Sequence, residues 1–190
     1  MQAVAPSLAA VFAAGTPRLE TPRLVLRAPC AADFDAFAAY QASERSQFVG
    51  GPLDRNQAWR AFGHMVGHWV LRGYGVFVLE EKATGRALGT AGPWFPEGWP
   101  EPEIAWSLWS GEGQGYAAEA ALAVRGFAFD GLGWGTAISM IVAGNARSEA
   151  LARRLGCVHE SDFSHAQFGA TSVWRHPAPD AQGAGMEAYA

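Results

Sequence analysis

The chain contains few cysteines and no long apolar run. Of its 190 residues only Cys30 and Cys157 are cysteines, and they lie far apart. Their separation fits no metal or redox spacing, which predicts reduced thiols, a cytoplasmic protein and no metal site. No apolar segment approaches the roughly 18 residues needed to cross a bilayer. The sequence therefore indicates neither a disulfide scaffold nor a membrane protein.

Basic residues are also scarce. The formal net charge is −4, with 14 Lys and Arg against 18 Asp and Glu. We therefore expect no nucleic-acid partner, since such proteins present a basic face. Two phosphate-binding signatures are missing as well. There is no Gly-Lys pair for a P-loop, and the third glycine of a dinucleotide fingerprint would fall at Tyr116.

Length and composition predict a single domain. A chain of 190 residues with 49% hydrophobic content can bury a core of its own. We expect a loosely ordered tail over residues 1–17, a folded domain over 18–176 and a mobile tail over 177–190. The first tail is apolar but has no Lys or Arg before its apolar stretch, and Pro6 and Ser7 interrupt it, which disfavours a secretion signal.

The apolar pattern within the domain is that of a mixed α/β protein. Residue alternation and turn signals predict strands near 24–28, 74–80, 86–94, 103–109, 136–142, 157–163 and 166–175. Helical spacing and capping signals predict helices near 32–44, 57–72, 116–130 and 145–155.

A glycine-rich segment joins the fourth of these strands to the third helix. Gly111, Gly113 and Gly115 alternate with other residues directly before Tyr116. Glycine lets the backbone turn sharply and lets a ligand approach it closely. The first N–H groups of a helix have no internal partner and lie at the positive end of its dipole, so a phosphate is the expected ligand. The alternative is a turn that binds nothing.

Three motifs in order give the chain a family resemblance. They are the stretch from Leu19 to Arg27, which is followed by Asp33, the glycine-rich segment, and the stretch from Gly144 to Cys157. Together they resemble the GNAT superfamily of acetyl-CoA-dependent N-acetyltransferases, and most of all the branch that acetylates the N-termini of ribosomal proteins. The resemblance covers roughly residues 18–176. It implies one α/β (α+β) domain with a mixed, mostly antiparallel sheet of about seven strands and about four flanking helices.

The resemblance also implies acetyl-CoA as co-substrate, without a metal. In the family, backbone N–H groups of the glycine-rich segment cradle the pyrophosphate of coenzyme A, and here these belong to Gly113, Gln114, Gly115, Tyr116 and Ala117. The family prefers Gln or Arg where this chain has Glu112. A carboxylate at that position repels a pyrophosphate unless it points away.

Three further roles follow from the same resemblance. A backbone N–H of Leu108 or Trp109 takes the place of the family's oxyanion donor. The family protonates the leaving thiolate with a Ser or a Tyr; the Tyr position is Ala152 here, so the role falls to Ser148. Asn145 takes the place of the residue beside the pantetheine arm. Asn145 and Ser148 lie at i and i+3, a spacing that is equally typical of a helix N-cap.

The candidates for a general base are Glu103 and Glu101. They lie at the start of the strand that borders the acceptor site in the family, although an exposed strand-edge carboxylate is the alternative interpretation of each. Trp94 and Trp99 are candidates for the wall of an acceptor pocket, since aromatic faces accommodate cations and planar groups.

The predicted function is transfer of the acetyl group of acetyl-CoA to a primary amine of a small molecule or a peptide N-terminus. Transfer is expected to be direct, in a ternary complex, because no Cys or Ser lies in a nucleophile motif. A non-catalytic acyl-CoA-binding module of the same fold is one alternative, favoured by Glu112 and the absent Tyr. A nucleotide-binding protein is another. The sequence is compatible with a monomer or a homodimer.

Overall fold

A single eight-stranded sheet organises the chain. The computed structural model describes residues 6–178. The strand order is β1-β2-β3-β4-β5-β6-β8-β7. The strands are β1 (Leu19–Glu20), β2 (Leu24–Arg27), β3 (Phe77–Glu81), β4 (Ala87–Trp94), β5 (Glu103–Leu108), β6 (Ile138–Val142), β7 (Val158–His165) and β8 (Gly169–Arg175). The mixed, mostly antiparallel fold is confirmed, and β1 is the strand that the apolar pattern did not predict.

Five α-helices accompany the sheet: α1 (Leu8–Gly15), α2 (Phe34–Gln41), α3 (Arg55–Arg72), α4 (Tyr116–Gly126) and α5 (Ala146–Arg154). A π-helical turn over Phe127–Gly131 extends α4. Helix α1 lies in the segment predicted to be a loosely ordered tail, and its Phe12 packs against the core. The predicted tail over 177–190 lies outside the described residues except for its first two positions. Within residues 6–178, no helix combines the length and apolarity that a membrane span requires.

The two faces of the sheet carry separate cores. Strand β3 shows why, because an unbroken apolar run covers residues 76–79 at its start. Phe77 and Leu79 pack with α4 on one face, while Val76 and Val78 pack with α2 and α3 on the other. All four side chains are buried. A strand covered on both faces has no polar alternation.

The sheet opens between β5 and β6. These strands form its one parallel pair in the described part of the chain, and only Glu103 and Ile138 are in register. Helix α4 makes the crossover between them. Beyond Ile138 the ladder does not continue, and β6 instead pairs along its length with β8. The strands therefore diverge towards the end of β5, and a gap opens there.

Candidate active site

The glycine-rich segment forms a turn of alternating left-handed residues at the end of β5. Gly111, Gly113 and Gly115 have φ of 76°, 81° and 82°. A Cβ at Gly113 would meet no other atom within 4 Å. The backbone of this segment is therefore open to a ligand, and residues with φ in this range are strained unless they are glycine.

Helix α4 begins without a side-chain cap. Its N-cap is Gly115, which has no side chain to accept from the first-turn N–H groups. In contrast, Asp54 caps α3 by accepting from the N–H of Gln57, and Asn145 caps α5 by accepting from the N–H of Ser148. The first-turn donors of α4, including those of Tyr116 and Ala117, are thus left for an external acceptor.

The N-terminal motif holds this helix start in place. Glu119, in the first turn of α4, accepts from the Thr21 hydroxyl (2.5 Å), the Arg23 backbone N–H (2.8 Å) and the Arg23 Nε (2.7 Å). Arg23 also donates to the carbonyl oxygen of Gln114 and stacks over the Tyr116 ring. Burial opposes ionisation of Glu119, but the hydrogen bonds outweigh it and lower the pKa of this carboxyl.

We expect Glu119→Ala to lower the free energy of unfolding by about 3 kcal/mol, because buried donors and a guanidinium lose their acceptor. Urea denaturation at pH 7 measures this. The matched control is Glu149→Ala, which removes a first-turn carboxylate of α5 paired with the more exposed Arg153. That change should cost only about 0.5 kcal/mol. Equal losses for the two variants would contradict a structural role for the motif.

Glu112 is paired rather than free. Its carboxylate forms an ion pair with the guanidinium of Arg45. Arg45 comes from the 3₁₀ segment after α2 and also donates to the carbonyl oxygens of Trp109 (2.8 Å) and Leu108 (3.3 Å). The departure from the family pattern at position 112 is therefore accompanied by a neutralising cation, which the sequence analysis did not identify.

Of the two predicted oxyanion donors, the structure supports only Leu108. The N–H of Trp109 donates to the carbonyl oxygen of Leu88 at 2.7 Å, so it belongs to the ladder between β5 and β4. The prediction of Trp109 as this donor was wrong. Neighbouring residues of a strand direct their N–H groups to opposite sides. The N–H of Leu108 therefore faces away from β4, into the gap beside β6.

A cavity of about 410 Å³ extends from this gap between the sheet, α2, α3 and the β7–β8 hairpin. We call it the central cavity. Because the strands separate, both faces of β5 contribute to its lining, with Trp106 on one and Ser107 on the other. Trp94 and Trp99 line it, as the sequence predicted, and so do four predicted site residues, Glu103, Trp109, Asn145 and Ser148.

Glu103 is buried in this cavity wall, so the interpretation as an exposed strand-edge carboxylate is wrong. Its side chain accepts from the Trp99 indole N–H at 2.8 Å and from the Met140 backbone N–H at 2.9 Å. The second bond spans from β5 to β6 at the point where the backbone ladder ends. Burial raises the pKa of Glu103 to about 7, against the lowering effect of these two hydrogen bonds. A carboxyl with this pKa exchanges protons near neutral pH.

Asn145 and Ser148 lie across the gap, at the start of α5. Asn145 Oδ1 accepts from the Ser148 N–H at 3.2 Å, which confirms the capping interpretation. Both residues also line the central cavity. The Trp106 indole N–H donates to Ser148 Oγ at 3.3 Å, so the hydroxyl proton of Ser148 can be donated elsewhere.

Glu101 lies outside this arrangement. Both of its carboxylate oxygens accept from Arg175, at 2.7 and 2.8 Å, and these bonds lower its pKa. It does not line the central cavity. A paired carboxylate with a lowered pKa is a poor proton acceptor, so Glu101 is not a base in this site.

The predicted site residues thus form two neighbouring groups along β5. Glu103, Asn145 and Ser148 face the central cavity, whereas Gly113, Gln114, Gly115, Tyr116 and Ala117 form the turn and helix start beyond the strand's other end. Leu108 lies between the groups. Among residues 6–178 there is no cluster of three or more His, Cys, Asp or Glu side chains suited to a metal ion.

Comparison with known proteins identifies the family. The profile of the acetyltransferase (GNAT) domain matches residues 23–158. The chain therefore belongs to the GNAT family of acetyltransferases.

Solved structures agree with this assignment. A crystal structure of an acetyltransferase from Agrobacterium tumefaciens is 34% identical, with 93% of this chain and 99% of that chain covered and a TM-score of 0.78. The ribosomal L7/L12 alpha-N-protein acetyltransferase RimL in complex with coenzyme A shares the fold at 15% identity (85% and 98% covered, TM-score 0.70). So does a ribosomal-protein-S5-alanine acetyltransferase from Vibrio fischeri, at 15% identity (86% and 98% covered, TM-score 0.66).

Proposed function

We propose that this acetyltransferase uses acetyl-CoA and transfers its acetyl group directly to a primary amine held in the central cavity. The observation that carries the proposal is the course of β5. The strand begins at a buried carboxyl with a pKa of about 7, runs along an open gap, and leads through the glycine-rich segment to an uncapped helix start. A proton acceptor, a backbone N–H and an anion site thus follow one another along the strand and the turn after it.

The residues present fit coenzyme A. The left-handed glycine turn leaves open space at Gly113, and α4 offers first-turn N–H groups that no side chain caps. These are the features of a pyrophosphate site. The backbone N–H groups of residues 113–117 would hold the pyrophosphate, and Asn145 at the edge of the gap would contact the pantetheine arm. Acetyl-CoA supplies the thioester whose acyl carbon the amine attacks.

A residue can then be assigned to each step of the transfer. Glu103 removes a proton from the amine, directly or through a water molecule, while a new C–N bond forms. The N–H of Leu108 donates to the carbonyl oxygen as it gains negative charge, an effect worth about 3 kcal/mol for one preorganised donor. The C–S bond then breaks, and the Ser148 hydroxyl donates its proton to the leaving sulfur. Ser148 regains a proton from water, and Glu103 releases to water the proton that it took from the amine. A covalent acetyl-enzyme is not needed.

The acceptor is a small-molecule amine or a peptide N-terminus. Two of the structures that share this fold are acetyltransferases of ribosomal proteins, which supports a peptide N-terminus. The enclosed cavity of about 410 Å³ has the size of a small-molecule site. An α-amine with a pKa near 8 is about a tenth neutral at pH 7, so a base with a pKa near 7 is well matched to it.

Ligand-dependent unfolding followed by an assay of thiol release tests this function. Acetyl-CoA or coenzyme A at 100 times its dissociation constant should add about 2.7 kcal/mol to the free energy of unfolding, and ATP should add less. Free thiol should then appear when amines are added to acetyl-CoA and protein. Binding without thiol release from any amine would instead support a non-catalytic module. Equal protection by ATP would support a nucleotide-binding protein.

A further inference from the structure

The central cavity has no lysine or arginine that could neutralise an anion. Among the described residues that line it, the acidic ones are Glu97 and Glu103, and the ones that can become cationic are His64 and His165. The guanidinium of Arg45, at the end of β5, is already engaged by Glu112 and by two carbonyl oxygens. A carboxylate or phosphate that entered the cavity would lose its hydration without gaining a permanently charged counterion, which is unfavourable.

The walls of the cavity are instead aromatic. Seven of its lining residues are Phe or Trp: Phe37, Phe48, Trp94, Trp99, Trp106, Trp109 and Phe168. Flat apolar faces of this kind suit an aromatic or aliphatic body. They also attract a protonated amine through the ring quadrupole. Shape and charge therefore both favour an apolar amine.

Two buried polar atoms of residues that line this cavity have no partner in the described part of the chain. They are Gln41 Oε1, an acceptor, and Trp109 Nε1, a donor. Both residues line the cavity and are only 5% exposed. Phe37 lies one turn before Gln41 on α2, and its ring centroid is 5.5 Å from that of Trp109. Phe37 thus connects the two residues, through α2 to Gln41 and through ring contact to Trp109.

Buried polar groups are costly when unpaired and are usually satisfied, so these two atoms point to a ligand. We propose that the acceptor is a primary amine on an aromatic or apolar body that carries no acidic group. It carries instead an uncharged group that both donates and accepts, such as an amide or a hydroxyl. Gln41 accepts from that group and Trp109 donates to it. This inference rests on the proposed function, since it names the acceptor of the same reaction.

Three matched amines test the selectivity. Phenylalanine amide carries the uncharged group, phenethylamine lacks it, and phenylalanine replaces it with a carboxylate. Thiol release should give a kcat/KM for the amide about tenfold above that of phenethylamine and about a hundredfold above that of phenylalanine. Calorimetry of each amine with the protein and coenzyme A should give the same order of affinity. A preference for phenylalanine, or equal use of all three, would overturn the inference.

Substitutions assign the selectivity to residues. Gln41→Leu and Trp109→Phe each remove one unpaired atom, and each should reduce the ratio between amide and phenethylamine towards one. Gln41→Leu should unfold at least as late in urea as the unchanged protein, since no hydrogen bond within the protein is lost. Trp109→Phe should unfold at a lower urea concentration, because it removes part of a buried ring, and its ratio is measured where the variant is fully folded. Gln167→Leu, the same change at an exposed position on the cavity rim, is the control and should leave the ratio unchanged.

The outcomes separate the two proposals. If neither acetyl-CoA binding nor thiol release is seen, the proposed function fails, and calorimetry with the three amines still tests the cavity. If thiol is released but the selectivity is reversed, or if Gln41→Leu and Trp109→Phe leave the ratio unaltered, only the assignment of the acceptor fails.

Discussion

Glu103→Gln should lower kcat for acetyl transfer by about 10²- to 10³-fold, the usual effect of losing a general base. The substitution keeps the size of the side chain and an oxygen that can accept from Trp99 Nε1, but it removes the group that takes the proton of the amine. Initial rates of thiol release at pH 7.5 with saturating acetyl-CoA and an alkylamine measure the effect. Glu101→Gln is the control, because that carboxylate is paired with Arg175 away from the cavity and should not affect kcat.

The pH profile gives this prediction a signature that a structural defect would not produce. The pKa of Glu103 is raised to about 7. With an amine whose own pKa is well above 9, both the loss of the amine proton and the ionisation of Glu103 promote the reaction below pH 7. The logarithm of kcat/KM should therefore rise with a slope of about 2 below pH 7 and about 1 above it. Glu103→Gln should keep a slope of about 1 throughout.

Stability provides an independent check on the same residue. The unfolded carboxyl loses its proton near its ordinary pKa of 4.5, whereas the folded one keeps it up to about pH 7. The folded state therefore binds the extra proton, and the contribution of Glu103 to stability decreases as the pH rises from 4.5 to 7. The difference in unfolding free energy between the unchanged protein and Glu103→Gln should change between pH 4.5 and 7. A pH-independent difference, or a kcat close to that of the unchanged protein, would contradict the role given to Glu103.

Gly113→Val should raise the dissociation constant of acetyl-CoA by about 10- to 100-fold. The backbone there has φ of 81°, and a β-branched residue in this region costs about 1–3 kcal/mol. If the variant relaxes to a negative φ, the N–H of residue 113 turns away from the phosphate position. If it keeps the left-handed backbone, the strain destabilises the free and the ligand-bound protein alike. Calorimetric titration with acetyl-CoA, with unfolding in urea measured in parallel, gives both quantities.

Gly133→Val is the matched control. Gly133 also has a left-handed backbone, with φ of 70°, and a Cβ there likewise meets no atom within 4 Å. It is exposed and lies in the turn before β6, away from the glycine-rich segment. The two variants should lose similar stability, about 1–2 kcal/mol, but only Gly113→Val should lose affinity. A loss of affinity in both would mean that strain alone, not the position of the turn, weakens binding.

The elements of the domain could be predicted because their signals are local. Residue alternation and the turn signal after Glu80 predicted the strand at Phe77, and the glycine spacing before Tyr116 predicted the turn and the helix start. The two-residue strand β1 was missed because it is too short to show alternation. The exact helix bounds also differed, since α2 covers only Phe34–Gln41 of the longer segment predicted to be helical.

The site was less predictable, because its residues meet only through tertiary structure. Arg45 reaches the end of β5 from a segment more than 60 residues earlier, and no periodic pattern indicates it. Gln41 looks like an ordinary polar residue at the end of a helix. The choice between Leu108 and Trp109 depended on which N–H groups of β5 point towards β4. This is set by the register of the two strands and not by residue type. The burial of Glu103 likewise depended on Trp99 and β6 closing around it.

The single register pair between β5 and β6 has a mechanical consequence. The sheet consists of a five-stranded block and a three-stranded block. Within the sheet they are joined by one register pair and by two side-chain hydrogen bonds, Glu103 with the Met140 N–H and Ser139 Oγ with the Ile104 carbonyl oxygen. Glu103 and Leu108 belong to the first block, and Ser148 lies on α5, which packs against the second. Helix α4 contacts both, with Ala120 in one core and Ala121 in the other. With so few links between the blocks, we expect the spacing between the proton acceptor and the proton donor to depend on how α4 packs against both.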